Sequence, residues 1–180
     1  PGQSILYVGA GNGEDVIMAA KKDLKVTVVE LSHEMIEGLR KKLDRQNLSD
    51  KVTLICGDAY DHKPKELYDA VAANYFLNVF SEETMQRMLA HLATLINPTG
   101  MLLVADFAPP VANPLVRFFQ KFYYSLAVAA FHFIANNSYH PLYDYTTYLE
   151  KLGLKLRAEQ RFGLFGFRPK WYWAMAVSKS

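Results

Sequence analysis

Three glycines at alternate positions, Gly9, Gly11 and Gly13, stand directly after the apolar run Ile5 to Val8, and two acids, Glu14 and Asp15, follow them. Glycine reaches backbone conformations closed to other residues and leaves bare peptide against which a ligand can lie. The helix start that follows offers free N–H groups suited to a polar or anionic ligand. This is a nucleotide-type binding turn, although glycine turns also join strands to helices with no ligand. Glu14 occupies the place where a dinucleotide fingerprint has its third glycine. A carboxylate there repels a pyrophosphate and suits a ligand bearing an amino group or a positive charge, which counts against NAD and FAD.

Further acids recur at the ends of apolar stretches. Glu30 closes Lys25 to Glu30, where a carboxylate can accept both hydroxyls of a ribose. Asp58, in Gly57-Asp58-Ala59, follows Lys51 to Cys56 and can accept from an exocyclic amine such as that of adenine. Without a ligand, Glu30 is a surface acid ending a strand and Asp58 a loop cap. Asn74 and Asp106 end two more such stretches, Asp69 to Asn74 and Met101 to Asp106.

These residues need elements to hold them. Ile5–Val8, Lys25–Glu30, Lys51–Cys56, Asp69–Asn74 and Met101–Asp106 are short, apolar and often β-branched, so they read as buried parallel strands. Helices are expected between them: Val16 to Lys22, one capped by Ser32 through Leu43, and one capped by Ser81 that ends near Pro98-Thr99-Gly100. Leu154–Phe162 and Trp171–Val177, joined by a short turn, read as an antiparallel pair. Strands alternating with helices make a doubly wound α/β sheet with helices on both faces, seven-stranded and mostly parallel, which binds ligands at the strands' carboxyl ends. That edge gathers Gly9 to Gly13, Glu30, Asp58, Asn74 and Asp106. The tail breaks the alternation: residues 108–148 read as a helical insert after strand five. Leu115 to Ala135 is nearly free of acids and apolar around most of a helix.

The length fits one domain spanning 1–180, and composition excludes disorder. A net charge of +2 gives no electrostatic case for nucleic acid, and there is no basic stripe with interleaved aromatics. Cys56 is the single cysteine, which fits a reducing, cytoplasmic setting, and it reads as a buried inert thiol. No ligand spacing among histidines and cysteine indicates a metal. The start at Pro1-Gly2, directly before a strand, leads to the expectation of a preceding segment. Arg117, Gln120, Lys121 and His132 interrupt the Leu115–Ala135 helix, so it is read as a lid or pocket wall rather than a membrane span of about 20 residues. Peripheral membrane contact and a homodimer interface are its other two readings.

The layout resembles the class I S-adenosylmethionine-dependent methyltransferase fold over nearly the whole chain. The carriers are Gly9-Ala10-Gly11-Asn12-Gly13, Glu30 after strand two, Gly57-Asp58-Ala59 after strand three, and Tyr68-Asp69-Ala70-Val71 opening strand four, with the closing antiparallel pair. The resemblance implies S-adenosylmethionine as cofactor and S-adenosylhomocysteine as product. It implies cofactor contacts from Gly9, Ala10, Gly11, Gly13, Asp15, Glu30, Leu31, Gly57, Asp58, Ala59 and Asn74. Tyr7 stands where the family usually has an acid that helps hold the cofactor's amino-acid end, and Glu14 or Asp15 can supply that charge instead. The tail, Asn113-Pro114-Leu115-Val116-Arg117 before an aromatic helix, is similar to the insert of ubiquinone/menaquinone C-methyltransferases, and so is Asn78-Val79. Their arginine before that pair is Leu77 here, and Leu164 to Ser180 also departs from their usual ending. A bulky hydrophobic acceptor is therefore implied, not the quinone itself.

Methyl transfer from a sulfonium is an in-line displacement in which the protein mainly aligns the partners, worth roughly 7–11 kcal/mol. A carbon or oxygen acceptor also needs a base. Candidates are Tyr75, Asn78, His132, His140, Tyr143 and Asp144, with His140 first, because a histidine titrates near neutral pH. His132 reads as packed on the apolar helix. Tyr75 and Asn74 are placed along the methyl-transfer site. Two rivals stand beside the enzyme reading: a non-catalytic protein holding the cofactor or a partner chain, and a nicotinamide-dependent oxidoreductase.

Overall fold

The computed structural model describes residues 2–108, 118, 143–163 and 170–179. The expectations for a helix over 115–135, for His132 and His140, and for most of the 108–148 insert lie outside the described residues.

Seven strands form one sheet in the order β3-β2-β1-β4-β5-β7-β6. They are β1 (Ser4–Val8), β2 (Lys25–Glu30), β3 (Val52–Cys56), β4 (Tyr68–Asn74), β5 (Ile96–Phe107), β6 (Leu154–Gly163) and β7 (Lys170–Lys179). The first five run parallel, and β7 lies antiparallel between β5 and β6. This is the doubly wound, mostly parallel sheet that the strand pattern implies. It places Gly9, Glu30, Gly57 and Asn74 along one edge.

Among the described residues, the helices α1 (Glu14–Lys21), α2 (His33–Arg45), α3 (Glu82–Leu95) and α4 (Tyr145–Lys151) cover the sheet. Alternation along each strand divides the core in two. Ile5, Val26 and Val28 face Val16, Ile17, Leu39 and Leu43 of α1 and α2. Leu6, Val8, Val71 and Val104 face Met85, Leu89 and Leu92 of α3 and Tyr145 and Leu149 of α4. Ser32 and Ser81 cap α2 and α3 by accepting from Met35 N and Thr84 N.

Two features depart from the sequence reading in ways that bear on the site's frame. Helix α3 stops at Leu95 and β5 begins at Ile96, with Asn97-Pro98-Thr99-Gly100 inside the strand rather than in a turn. These residues form an irregularity between the pairs Tyr68↔Ile96 and Ala70↔Met101. Asn97 holds it by donating to Asp69 at 2.7 Å. A Cβ on Gly100 would sit 2.9 Å from the carbonyl oxygens of Tyr68 and Asp69, so only glycine fits there. The second difference is Cys56, which is exposed because β3 is the edge strand.

Candidate functional site

Each glycine of the loop has positive φ, +82° at Gly9, +50° at Gly11 and +80° at Gly13. The outer two are also constrained by contact. A Cβ would lie 3.3 Å from Phe76 at Gly9 and 2.6 Å from Leu39 Cδ1 at Gly13. At Gly11 a Cβ would meet nothing within 4 Å, so the loop's middle faces open space on the ligand side. The loop is braced internally, with Gly13 N donating to Ala10 O (2.9 Å), and from α2, where Lys42 Nζ donates to Asn12 O (2.6 Å). The Glu14 N–H is taken by Asn12 Oδ1.

Glu30 knits three segments of this edge together. Its Oε2 accepts from Ala10 N and its Oε1 from Ser32 N, both at 2.8 Å, while its carbonyl accepts from Gly57 N at 3.0 Å. A carboxylate has about four lone-pair sites, so two remain for ligand hydroxyls. The acid is thus structural as well as a candidate ligand group. Leu31 beside it is 74% exposed, an apolar side chain left free to meet a planar base. Asp58 Oδ1 accepts from Tyr60 N at 2.8 Å and caps the short 3-10 turn Ala59–Asp61. From α3, His91 Nε2 donates to Ala59 O at 3.0 Å and fixes that turn from behind, a support that nothing in the spacing of the histidines signals.

The third group lies between the glycine loop and β4. Asn74 Nδ2 donates to Asp15 Oδ2 at 2.9 Å, and the Tyr7 hydroxyl donates to the Asp15 carbonyl at 3.3 Å. Burial, helped by the Asp15 charge, pushes the Tyr7 phenol up to about 12. Position 7 therefore presents a neutral hydroxyl, and the negative charge here is that of Asp15. A groove of about 510 Å³ opens from Tyr7, Asp15 and Asn74 across the α1 side of the sheet toward Met18, Ala105 and Ala174.

At the ends of β4, β5 and β7 the edge turns aromatic. Tyr75, held at φ +52°, is half exposed, and its ring packs edge-on against Phe107 (5.7 Å between centroids) and Tyr172 (6.2 Å). Three of the sequence's candidates do other work. Tyr143 is buried and donates to Phe80 O at 3.0 Å. Asp144 caps α4 by accepting from Thr146 N at 3.1 Å and from the Thr146 hydroxyl. Asp106, though at a strand's carboxyl end, is only 2% exposed and accepts from the Tyr145 hydroxyl at 2.6 Å, so it belongs to the interior rather than to the ligand edge. Among the described residues no cluster of metal-ligating side chains occurs, and no helix is long and apolar enough to cross a membrane.

A glycine loop open at its centre, with acids at the ends of β2 and β3, coincides with a match of residues 5–100 to the family described as a methyltransferase domain. The chain belongs to that family. It is 30% identical over 140 residues to the demethylmenaquinone methyltransferase of Renibacterium salmoninarum, covering 77% of this chain and 54% of the relative. It is 32% identical over 106 residues to the malonyl-[acyl-carrier protein] O-methyltransferase of Priestia megaterium, covering 58% of this chain and 36% of the relative. The chain thus spans between about a third and a half of these curated relatives. Its fold superposes on the magnesium protoporphyrin IX methyltransferase of Synechocystis, solved with bound SAH, with a TM-score of 0.75 at 18% identity. That match covers 100% of this chain and 75% of the other.

Proposed function

We propose that the chain transfers a methyl group from S-adenosylmethionine to a small hydrophobic acceptor, acting as one domain over 1–180. The observation that carries the cofactor is the Glu30 carboxylate, tied by Ala10 N to the glycine loop and by its backbone to Gly57, with lone pairs to spare for a ribose. The residues present fit the group. Gly11 and Gly57 leave open space where a Cβ would stand, Leu31 offers an apolar surface, and Asp58 retains a free carboxylate oxygen for an amine. Asp15, held by Asn74, supplies the negative charge for an ammonium group that Tyr7 does not. Gly9, Gly13 and Ala59 complete the cradle.

The bound cofactor supplies an electrophilic methyl group, and the chain's task is alignment and exclusion of water. The Tyr75–Phe107–Tyr172 group provides an apolar, aromatic wall beside Asn74, which suits a quinone-like, aromatic or lipid-like acceptor. A relative named as a demethylmenaquinone methyltransferase supports that class, while one named as a malonyl-[acyl-carrier protein] O-methyltransferase extends the panel to carboxylate acceptors. His140 is the base we assign for an acceptor proton, with Tyr75 lining the site. The test is transfer of a labelled methyl group to a panel of hydroquinones, phenols and acyl carboxylates. His140→Ala should lower transfer while leaving S-adenosylhomocysteine affinity unchanged.

A second reading is a protein that holds the cofactor without catalysis. It is favoured by the neutral phenol at position 7. Tight S-adenosylhomocysteine binding with no transfer to any member of the panel selects it.

A further inference from the structure

Asp106 and Tyr145 are 39 residues apart in sequence, and their side chains meet in a buried hydrogen bond of 2.6 Å. They join two elements: β5 ends at Phe107, and α4 begins at Tyr145. Asp106 is 2% exposed and Tyr145 is 1% exposed. The second carboxylate oxygen of Asp106 accepts from Phe107 N at 2.7 Å. The backbone and side-chain amides of Asn78, in the 3-10 turn Leu77–Val79, also favour the ionised carboxylate. Asn78 Oδ1 is buried with no partner. The methyl-transfer chemistry uses none of these contacts, and a buried carboxylate is costly, so its presence calls for a reason.

The turn that carries Asn78 also places the acceptor wall. Tyr75 N donates to Ala105 O at 2.7 Å, one residue before Asp106, and the Tyr75 ring rests on Phe107. The ends of β1, β2 and β3 form the cofactor half of the edge, whereas the ends of β4 and β5 form the other half. We infer that Asp106 is a positioning residue: with Tyr145 it staples the end of β5 to the start of α4, and through Asn78 it holds the turn after β4 against them, setting the acceptor side of the site and leaving the cofactor side untouched. The acceptor-side role rests on the methyltransferase reading, whereas the staple itself does not.

Burial disfavours the ionised Asp106 carboxylate more than its hydrogen bonds favour it, so the staple loosens on ionisation. Burial pushes the Asp106 carboxyl up to about 6, which puts the change within reach of mild acid. The groups facing it are Tyr145 from α4, Asn78 from the turn and, by strand pairing, Trp173 from β7. Tyr143 acts on Tyr145, and Glu82 of α3 acts on Tyr143.

The experiment compares amide hydrogen exchange in the wild type, Asp106→Asn and Tyr145→Phe, alongside calorimetric titration of each with S-adenosylhomocysteine. At pH 5, where Asp106 keeps its proton, exchange in 75–80 and 143–151 should rise roughly tenfold in both variants, the value of one buried hydrogen bond. Protection of β1 to β3 should hold, and cofactor affinity should stay within about twofold. In the wild type the same two segments should lose protection as pH rises through about 6, after correction for intrinsic rates, and this dependence should vanish in Asp106→Asn. Unchanged exchange in these segments, loss of protection throughout the sheet, or a parallel fall in cofactor affinity each overturns the inference. If the wild type binds no S-adenosylhomocysteine, the methyltransferase reading fails, while the exchange data still decide the staple.

Discussion

Replacing Gly13 by alanine tests whether the glycine loop is dictated by packing as well as by ligand. The residue sits at φ +80°, where a side chain costs about 1–2 kcal/mol. Its new Cβ would lie 2.6 Å from Leu39 Cδ1, against a normal carbon contact of about 3.5–4.0 Å, so the Leu39 side chain must move by about 1 Å. Leu39 of α2 is buried in the core cluster with Val16 and Ile17 of α1, and such overpacking costs about 1–3 kcal/mol. The expected loss is therefore about 2–5 kcal/mol in urea unfolding. The two parts separate in a double-mutant cycle with Leu39→Ala. In that background the clash is gone, and Gly13→Ala should cost only the conformational 1–2 kcal/mol or so. A loss below about 1 kcal/mol in the wild-type background, or the same loss in both backgrounds, would refute the reasoning.

Gly11→Ala should do the opposite, because its Cβ meets open space: stability falls by about 1–2 kcal/mol from the φ of +50°, but S-adenosylhomocysteine affinity falls tenfold or more, read by calorimetry. Cys56, exposed and paired in register with Glu30, should react with a chromogenic disulfide several-fold more slowly when S-adenosylhomocysteine is saturating; equal rates would remove β3 from the site. The raised carboxyl of Asp106 gives a pH-dependent stability of definite sign. The folded chain keeps a proton between the ordinary 3.8 and about 6 where the unfolded chain releases it, so stability present below 3.8 is lost as pH rises through about 6. The loss is about 3 kcal/mol, and Asp106→Asn, which cannot ionise, should gain that much relative to the wild type between pH 4 and 8 in urea titrations; a constant difference would contradict it.

Much of this arrangement can be read from local chemistry. The run Lys25–Glu30 is a strand over those same residues, because β-branched apolar residues end abruptly in an acid and a helix-capping serine. The placing of Glu30 and Asp58 at one edge follows from parallel topology alone. What escaped the sequence has physical causes. Helix α4 is seven residues with two threonines and two tyrosines, poor helix formers, and it stands because Tyr145 and Leu149 are buried. Asn97 to Gly100 has the composition of a turn, yet Asp69, a distant residue, holds it within β5. Asp106 shares its strand-end position with Glu30, and only the packing of α4 over it turns one acid inward while the other faces the loop. The bracing by Glu30 was equally hidden, since its backbone partners Ala10 and Ser32 are brought to it by the fold.

The most direct test is calorimetric titration of the wild type and Glu30→Gln with S-adenosylhomocysteine, with unfolding free energies measured in parallel because Glu30 also braces the loop. Micromolar binding by the wild type, weakened tenfold or more in a variant that remains folded, is the predicted result. A folded wild type that binds no S-adenosylhomocysteine, or a folded variant that binds it as tightly, would contradict the account.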